Sequence, residues 1–182
     1  MRRCFGYSFF RRRETEILRH GVGRFLRFTA FLLFLCLLLT ALSSCGAKES
    51  PYDIVCALRD GCAVGGVIYA PSVPEGETGY CDGSFFAVLY GEDGAGVRDY
   101  AVLLLGRADM VGECAVFVCR SAYDAIQVAA MCERRLDLLR SLSGTTDISP
   151  AKDGFILRRD TYVAMCALPD NERARRLLGH LL

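Results

Sequence analysis

At 182 residues the chain has room for one domain, or at most two small ones. A hydrophobic fraction of 52% against 24% charged excludes intrinsic disorder. A net charge of +1 lacks the basic excess of a nucleic-acid binder, so no nucleic-acid partner is expected.

That balance conceals a division. Eight arginines against Glu14 and Glu16 leave residues 1–44 at +6, and residues 45–182 at −5. A basic head on an acidic body is a targeting pattern. Between them, Phe28 to Ala47 runs twenty residues without a charge, with its most apolar stretch at Phe31–Leu39. A basic segment, an apolar core and then small residues make a secretory signal. Leu42-Ser43-Ser44-Cys45 resembles the lipobox of bacterial lipoprotein signals. In that family the Cys thiol takes a diacylglyceryl group and the peptidase cuts before it. The resemblance implies lipidation (palmitate-type acyl chains) at Cys45, a membrane partner through that anchor, and a short tether over residues 45–50. Buried acyl chains contribute about 0.8 kcal/mol per CH₂, and two chains anchor stably. The alternative is an uncleaved transmembrane helix, since twenty apolar residues can span a bilayer. In either case the positive-inside rule places the body on the outer, extracytoplasmic face of the cell membrane. The basic segment before the apolar core is 27 residues, long for this class of signal. Val22-Gly23-Arg24-Phe25-Leu26-Arg27 would make a compact start, so the natural protein is expected to begin at or near Val22, with residues 1–21 a start-site artefact.

Residues 51–182 read as a single α+β domain. Ser50-Pro51-Tyr52-Asp53 opens a helix, with Ser as cap and Pro in the first turn. Ile54, Val55 and Leu58 form its apolar stripe. Gly65–Tyr69 is weakly strand-like, and Pro71 to Gly79 reads as loop. Asp82 can cap a short helix carrying Phe85, Phe86, Leu89 and Tyr90, stopped by Gly91. Gly91, Gly94 and Gly96 lack the Lys-Ser/Thr of a phosphate loop and read as a turn. Tyr100–Leu105 and Cys114–Cys119 are continuous apolar runs, hence buried strands. From Ser121 to Leu142 the apolar residues Ala122, Ala125, Ala129, Cys132, Leu136 and Leu139 recur at helical spacing, with Gly144 as a left-handed stop. Phe155–Leu157 and Tyr162–Ala167 form a hairpin turning near Arg159-Asp160. Pro169-Asp170 opens a last helix, with Ala174, Leu177, Leu178, Leu181 and Leu182 on one face.

The order after residue 98 is ββαββα, implying a small four-stranded, largely antiparallel sheet with helices packed on it. The strands are apolar on both faces, so both need covering, by the two earlier helices or by a second molecule in a homodimer.

No residue is assigned a catalytic role. His180 is the one imidazole in the body and reads as solvated helix surface. Ser84 lies outside a Gly-x-Ser-x-Gly elbow. Asp53, Asp82, Glu92, Asp93 and Asp99 lack calcium-loop spacing, and no Cys-x-x-Cys occurs, so neither metal nor cofactor is expected. Cys56, Cys62, Cys81, Cys114, Cys119, Cys132 and Cys166 are an odd set of seven. Most sit on apolar faces, as small buried hydrophobes do. A disulfide would fall most naturally on Cys56, Cys62 or Cys81. Arg134 and Arg135 neighbour Glu133 and Asp137, which suggests pairing along the helix surface. Arg135 lies near the apolar stripe, so the sharper reading has it reach an acid elsewhere or a carboxylate of a partner. Arg173, Arg175 and Arg176 read as a solvated helix face, with anionic headgroups as the alternative.

Glu113-Cys114-Ala115-Val116-Phe117, Ala122-Tyr123-Asp124-Ala125, Val128-Ala129-Ala130-Met131-Cys132 with Arg135, and Tyr162 through Asn171 together resemble a family of small clostridial lipoproteins whose domain has no known function. The likeness spans residues 98–178 and fits the lipobox. Arg159-Asp160 departs from the Gly-containing turn of that family's hairpin. The resemblance implies placement and fold, and supplies no activity. The functional expectation is a non-enzymatic binding or accessory module at the cell envelope with a protein or envelope partner. The alternative is an envelope enzyme using a thiol or a carboxylate pair.

Overall fold

The computed structural model describes residues 49–142 and 146–182, and Lys48–Leu182 cluster as one compact unit. The signal, the lipobox with Leu42, Ser43, Ser44 and Cys45, and the proposed stop at Gly144 lie outside the described residues.

Helix starts follow their capping chemistry. The Ser50 hydroxyl accepts the Asp53 N–H and opens α1, Pro51–Gly61, with Pro51 in the first turn, where its missing N–H costs nothing. The Asp82 carboxylate accepts the N–H groups of Ser84 and Phe85 and opens α2, Gly83–Tyr90, which Gly91 ends in a left-handed conformation (φ 72°). Ser121 caps α3, Ala122–Ser141, and Asp170 caps α5, Asn171–Leu181, by accepting the Arg173 N–H. A four-residue helix, α4, Ser149–Lys152, lies between α3 and the last hairpin.

The strands are β1 Val67–Tyr69, β2 Val97–Leu104, β3 Glu113–Cys119, β4 Phe155–Arg159 and β5 Tyr162–Ala167. They form one antiparallel sheet in the order β1-β2-β3-β5-β4. The fold is α+β as the sequence implies, with five strands rather than four. The weakly apolar segment Val67–Tyr69 pairs at the edge, matching Val67 to Leu104 and Tyr69 to Val102. Its corner depends on glycine: a Cβ on Gly79 (φ 98°) would come 2.2 Å from the Ile68 carbonyl oxygen. Asp160 takes φ 53° in the two-residue turn between β4 and β5, in place of glycine.

All seven residues of β3 and all six of β5 are buried, consistent with strands that are apolar on both faces. On one face, Tyr100, Val102, Ala115, Phe117, Val163 and Met165 pack under α2, α3 and α4. On the other, Ala101, Leu103, Cys114, Val116, Ala164 and Cys166 pack under α1 and α5. The sheet is therefore covered on both faces by the chain's own helices. One early helix lies on each face, and the coverage is completed by α3 and α5.

Candidate functional site

The most unusual chemistry lies where β3 enters the sheet. A period of two puts the Glu113 side chain on the face shared by Ala115 and Phe117, beneath α3. Glu113 is 1% exposed and is the one buried charged residue of the described chain. Arg135, from the middle of α3, donates from Nε and Nη2 to Glu113 Oε2 at 3.0 and 2.7 Å. The Tyr90 hydroxyl, from the last turn of α2, donates to Glu113 Oε1 at 2.9 Å. Three elements thus converge on one carboxylate. Burial first, and then the Glu113 charge, push the Tyr90 phenol well above its ordinary range, so it stays a donor. The same two causes push up the neighbouring Cys132 thiol. Tyr90 is held by the aromatic cluster of Phe86, Tyr100 and Phe117, with ring centroids 5.1 Å from Tyr90 to Phe86 and 5.3 Å from Tyr90 to Phe117.

Of the two readings of Arg135, the contact with an acid elsewhere in the chain is the one the structure contains. Pairing along the α3 surface is not what Arg134 and Arg135 do. Arg134 reaches Glu92 in the loop after α2, Arg135 reaches Glu113, and it is Arg140 that pairs with Asp137 within the helix. Nothing local in the sequence marks Glu113 as the partner of Arg135, 22 residues away. The signal of Glu113 was the two-residue period that aligns it with Phe117. Chemically, the triad is a carboxyl group that takes three hydrogen bonds, two from Arg135 and one from Tyr90, an arrangement that fixes β3 to two helices.

A cleft of about 580 Å³ opens just past the C-terminal end of β5, between the 147–153 segment and the start of α5, at the same end of the sheet as Glu113, whose register partner is Ala167. Asp147, Asp153, Asp170, Glu172 and Arg175 line it, with Met110 and Leu168. The Asn171 side chain braces its wall, accepting the Leu168 N–H and donating to the Pro150 carbonyl, both at 2.9 Å. The Ser149 hydroxyl and backbone N–H hold the Asp147 carboxyl below the usual carboxylate range. Arg175 lies over the Phe155 ring at 3.9 Å, so of the three arginines it is drawn back toward the body. Arg176 pairs loosely with Glu172 on the exposed face, where Arg173 and His180 also lie.

The thiols are unlike those of a nucleophilic site. All seven body cysteines are free, Cys56, Cys62 and Cys81 included. Burial pushes Cys62, Cys81 and Cys119 up, Cys119 to about 11. A catalytic thiol that turns over rapidly at neutral pH is lowered, whereas a raised thiol can exchange only slowly, through its small thiolate fraction. Ser84 lies in the first turn of α2, with its hydroxyl on Asp82 rather than on a base. Asp82 is engaged as the cap of α2, and Asp53 accepts the hydroxyl of Ser50, the cap of α1. Among the described residues no group of three or more His, Cys, Asp or Glu side chains is placed to hold a metal ion, and no helix is long and apolar enough to cross a membrane. No protein-family model, curated protein or solved structure matches the chain.

Proposed function

We propose that this is a lipoprotein anchored through Cys45 to the outer face of the cell membrane, and that its body is a non-enzymatic binding or accessory module of the envelope. The observation that carries this reading is the division of the sequence. A +6 leader and a charge-free run of twenty residues end on Leu42-Ser43-Ser44-Cys45, and a −5 body follows. The described body supports it in two ways. Among the described residues the first capped helix begins at Pro51, which gives residues 45–50 the place of a tether. The buried polar groups of Glu113, Arg135 and Tyr90 are engaged with one another, and the open cleft near α5 offers a surface for a protein or envelope partner.

The test is metabolic labelling with an alkyne fatty acid in cells expressing the full chain, with mass spectrometry of the mature N-terminus. Label on a chain beginning at Cys45, abolished by Cys45→Ala, is expected. A mature chain that retains Phe28–Ser44 would establish the uncleaved helix instead. Crosslinking in intact cells then tests the module, and failure to recover any protein above the membrane background counts against it.

A further inference from the structure

The thiols of β3 and β5 face each other. Cys114 is matched to Cys166 in the antiparallel register, and both side chains lie on the face covered by α1 and α5. They continue one cross-strand row, Ile68, Leu103, Cys114, Cys166 and Phe155.

The hydrogen-bonding parity of this pair follows from the ladder. The Cys119 N–H donates to the Thr161 carbonyl at 2.8 Å, so those two residues form a hydrogen-bonded pair. The register from Val118–Tyr162 down to Glu113–Ala167 has no break. Hydrogen-bonded and non-hydrogen-bonded pairs alternate along such a ladder, so Cys114 and Cys166, five steps on, are a non-hydrogen-bonded pair. Directly opposed residues of that kind have Cα atoms about 4.5 Å apart and their side chains closest. A disulfide needs a Cα separation of about 4.4–6.8 Å. A pair of this kind therefore falls at the short end of the disulfide range.

Both thiols are fully buried, so an oxidant cannot meet them first. A third thiol supplies access. Cys62 caps the C-terminus of α1, is half-buried, and packs against the same cluster.

We propose that Cys114 and Cys166 are a redox site that closes to a cross-strand disulfide, with Cys62 as its point of exchange with an external disulfide. The sequence balances as thiol–disulfide exchange. The Cys62 thiolate attacks a sulfur of the oxidant, a small or protein disulfide, forming a mixed disulfide and releasing one thiolate. The Cys166 thiolate attacks Cys62 Sγ and releases the second. The Cys114 thiolate then attacks Cys166 Sγ and returns Cys62 as thiolate. Two protein thiols are oxidised, one external disulfide is reduced to two thiols, and the departing thiolates take up the protons. Contact with Cys166, then burial, push the Cys114 thiol well up, so the last step is slow at neutral pH and faster in mild alkali.

The experiment uses the folded full chain with oxidised glutathione as the probe. Samples are acid-quenched and alkylated after denaturation, then digested with trypsin and chymotrypsin, since cleavage at Phe117 separates Cys114 from Cys119. The expected result is a Cys114–Cys166 linked peptide, removed by a dithiol reductant, whose formation Cys62→Ser slows by about tenfold or more. Free alkylation of both residues after prolonged oxidation would overturn the proposal, as would a final linkage of Cys62 to Cys166. Unchanged kinetics in Cys62→Ser would overturn the exchange role. The wild-type mapping decides the pair without relying on any variant.

Discussion

Removing Arg135 should be among the most damaging single changes to this body. Glu113 is 1% exposed and Arg135 supplies two of its three hydrogen bonds, while Tyr90 supplies the third. Arg135→Ala strands a carboxylate in the α3 side of the core with one neutral donor. Breaking a buried pair from one side costs about 3–5 kcal/mol, because the remaining charge loses water without compensation. In a body of this size that lowers Tm by about 10 °C or more. The chain has no tryptophan, so unfolding in urea is followed by far-UV circular dichroism. One control isolates the cause. Tyr90→Phe/Glu113→Leu/Arg135→Met replaces the whole network with apolar groups and should recover most of the loss. A cost below about 1 kcal/mol, the scale of an exposed ion pair, would refute the reasoning.

The buried thiols and phenols predict alkaline lability. Cys119 is raised to about 11, and Cys114, Cys132 and Tyr90 well above their ordinary values. These groups stay neutral in the fold while the unfolded chain deprotonates, so stability is intact below about pH 8.5 and falls above it, by about 1.4 kcal/mol per pH unit for each thiol. Urea midpoints measured under reductant at pH 7.5 and 10 check this, and equal midpoints would contradict it. Ala63, just past the end of α1, is held at φ 52°. Ala63→Gly should stabilise by up to about 1 kcal/mol, because glycine takes that conformation without Cβ strain. A lowered urea midpoint for the variant would count against that account.

What was legible in the sequence was what local chemistry decides. Apolar runs marked β2, β3, β4 and β5, and Ser50, Asp82, Ser121 and Asp170 marked the helix starts through hydrogen bonds spanning three residues. What escaped depends on distance along the chain. Val67–Tyr69 is weakly strand-like by itself, and its place as a fifth strand depends on the edge that β2 offers. The partner of Arg135 is 22 residues away, and the choice between Glu113, Glu133 and Asp137 is made by how α3 lies across the sheet. The cysteines show the same limit. Cys114 and Cys166 each read as a small hydrophobe, and only the register sets one against the other.

The order of strands has a bearing on self-association. The most adhesive segments, β3 and β5, carry long uncharged apolar runs of the kind that stack into cross-β assemblies when left open. Here they are interior strands with both sides paired. The two borders are β1, three residues long, and β4, whose outer half ends in the exposed Arg158 and Arg159. A neighbouring molecule seeking to extend the ladder meets too few amides on one side and two guanidinium groups on the other. The sheet is thus terminated at both borders, and many copies can be crowded together without their sheets joining.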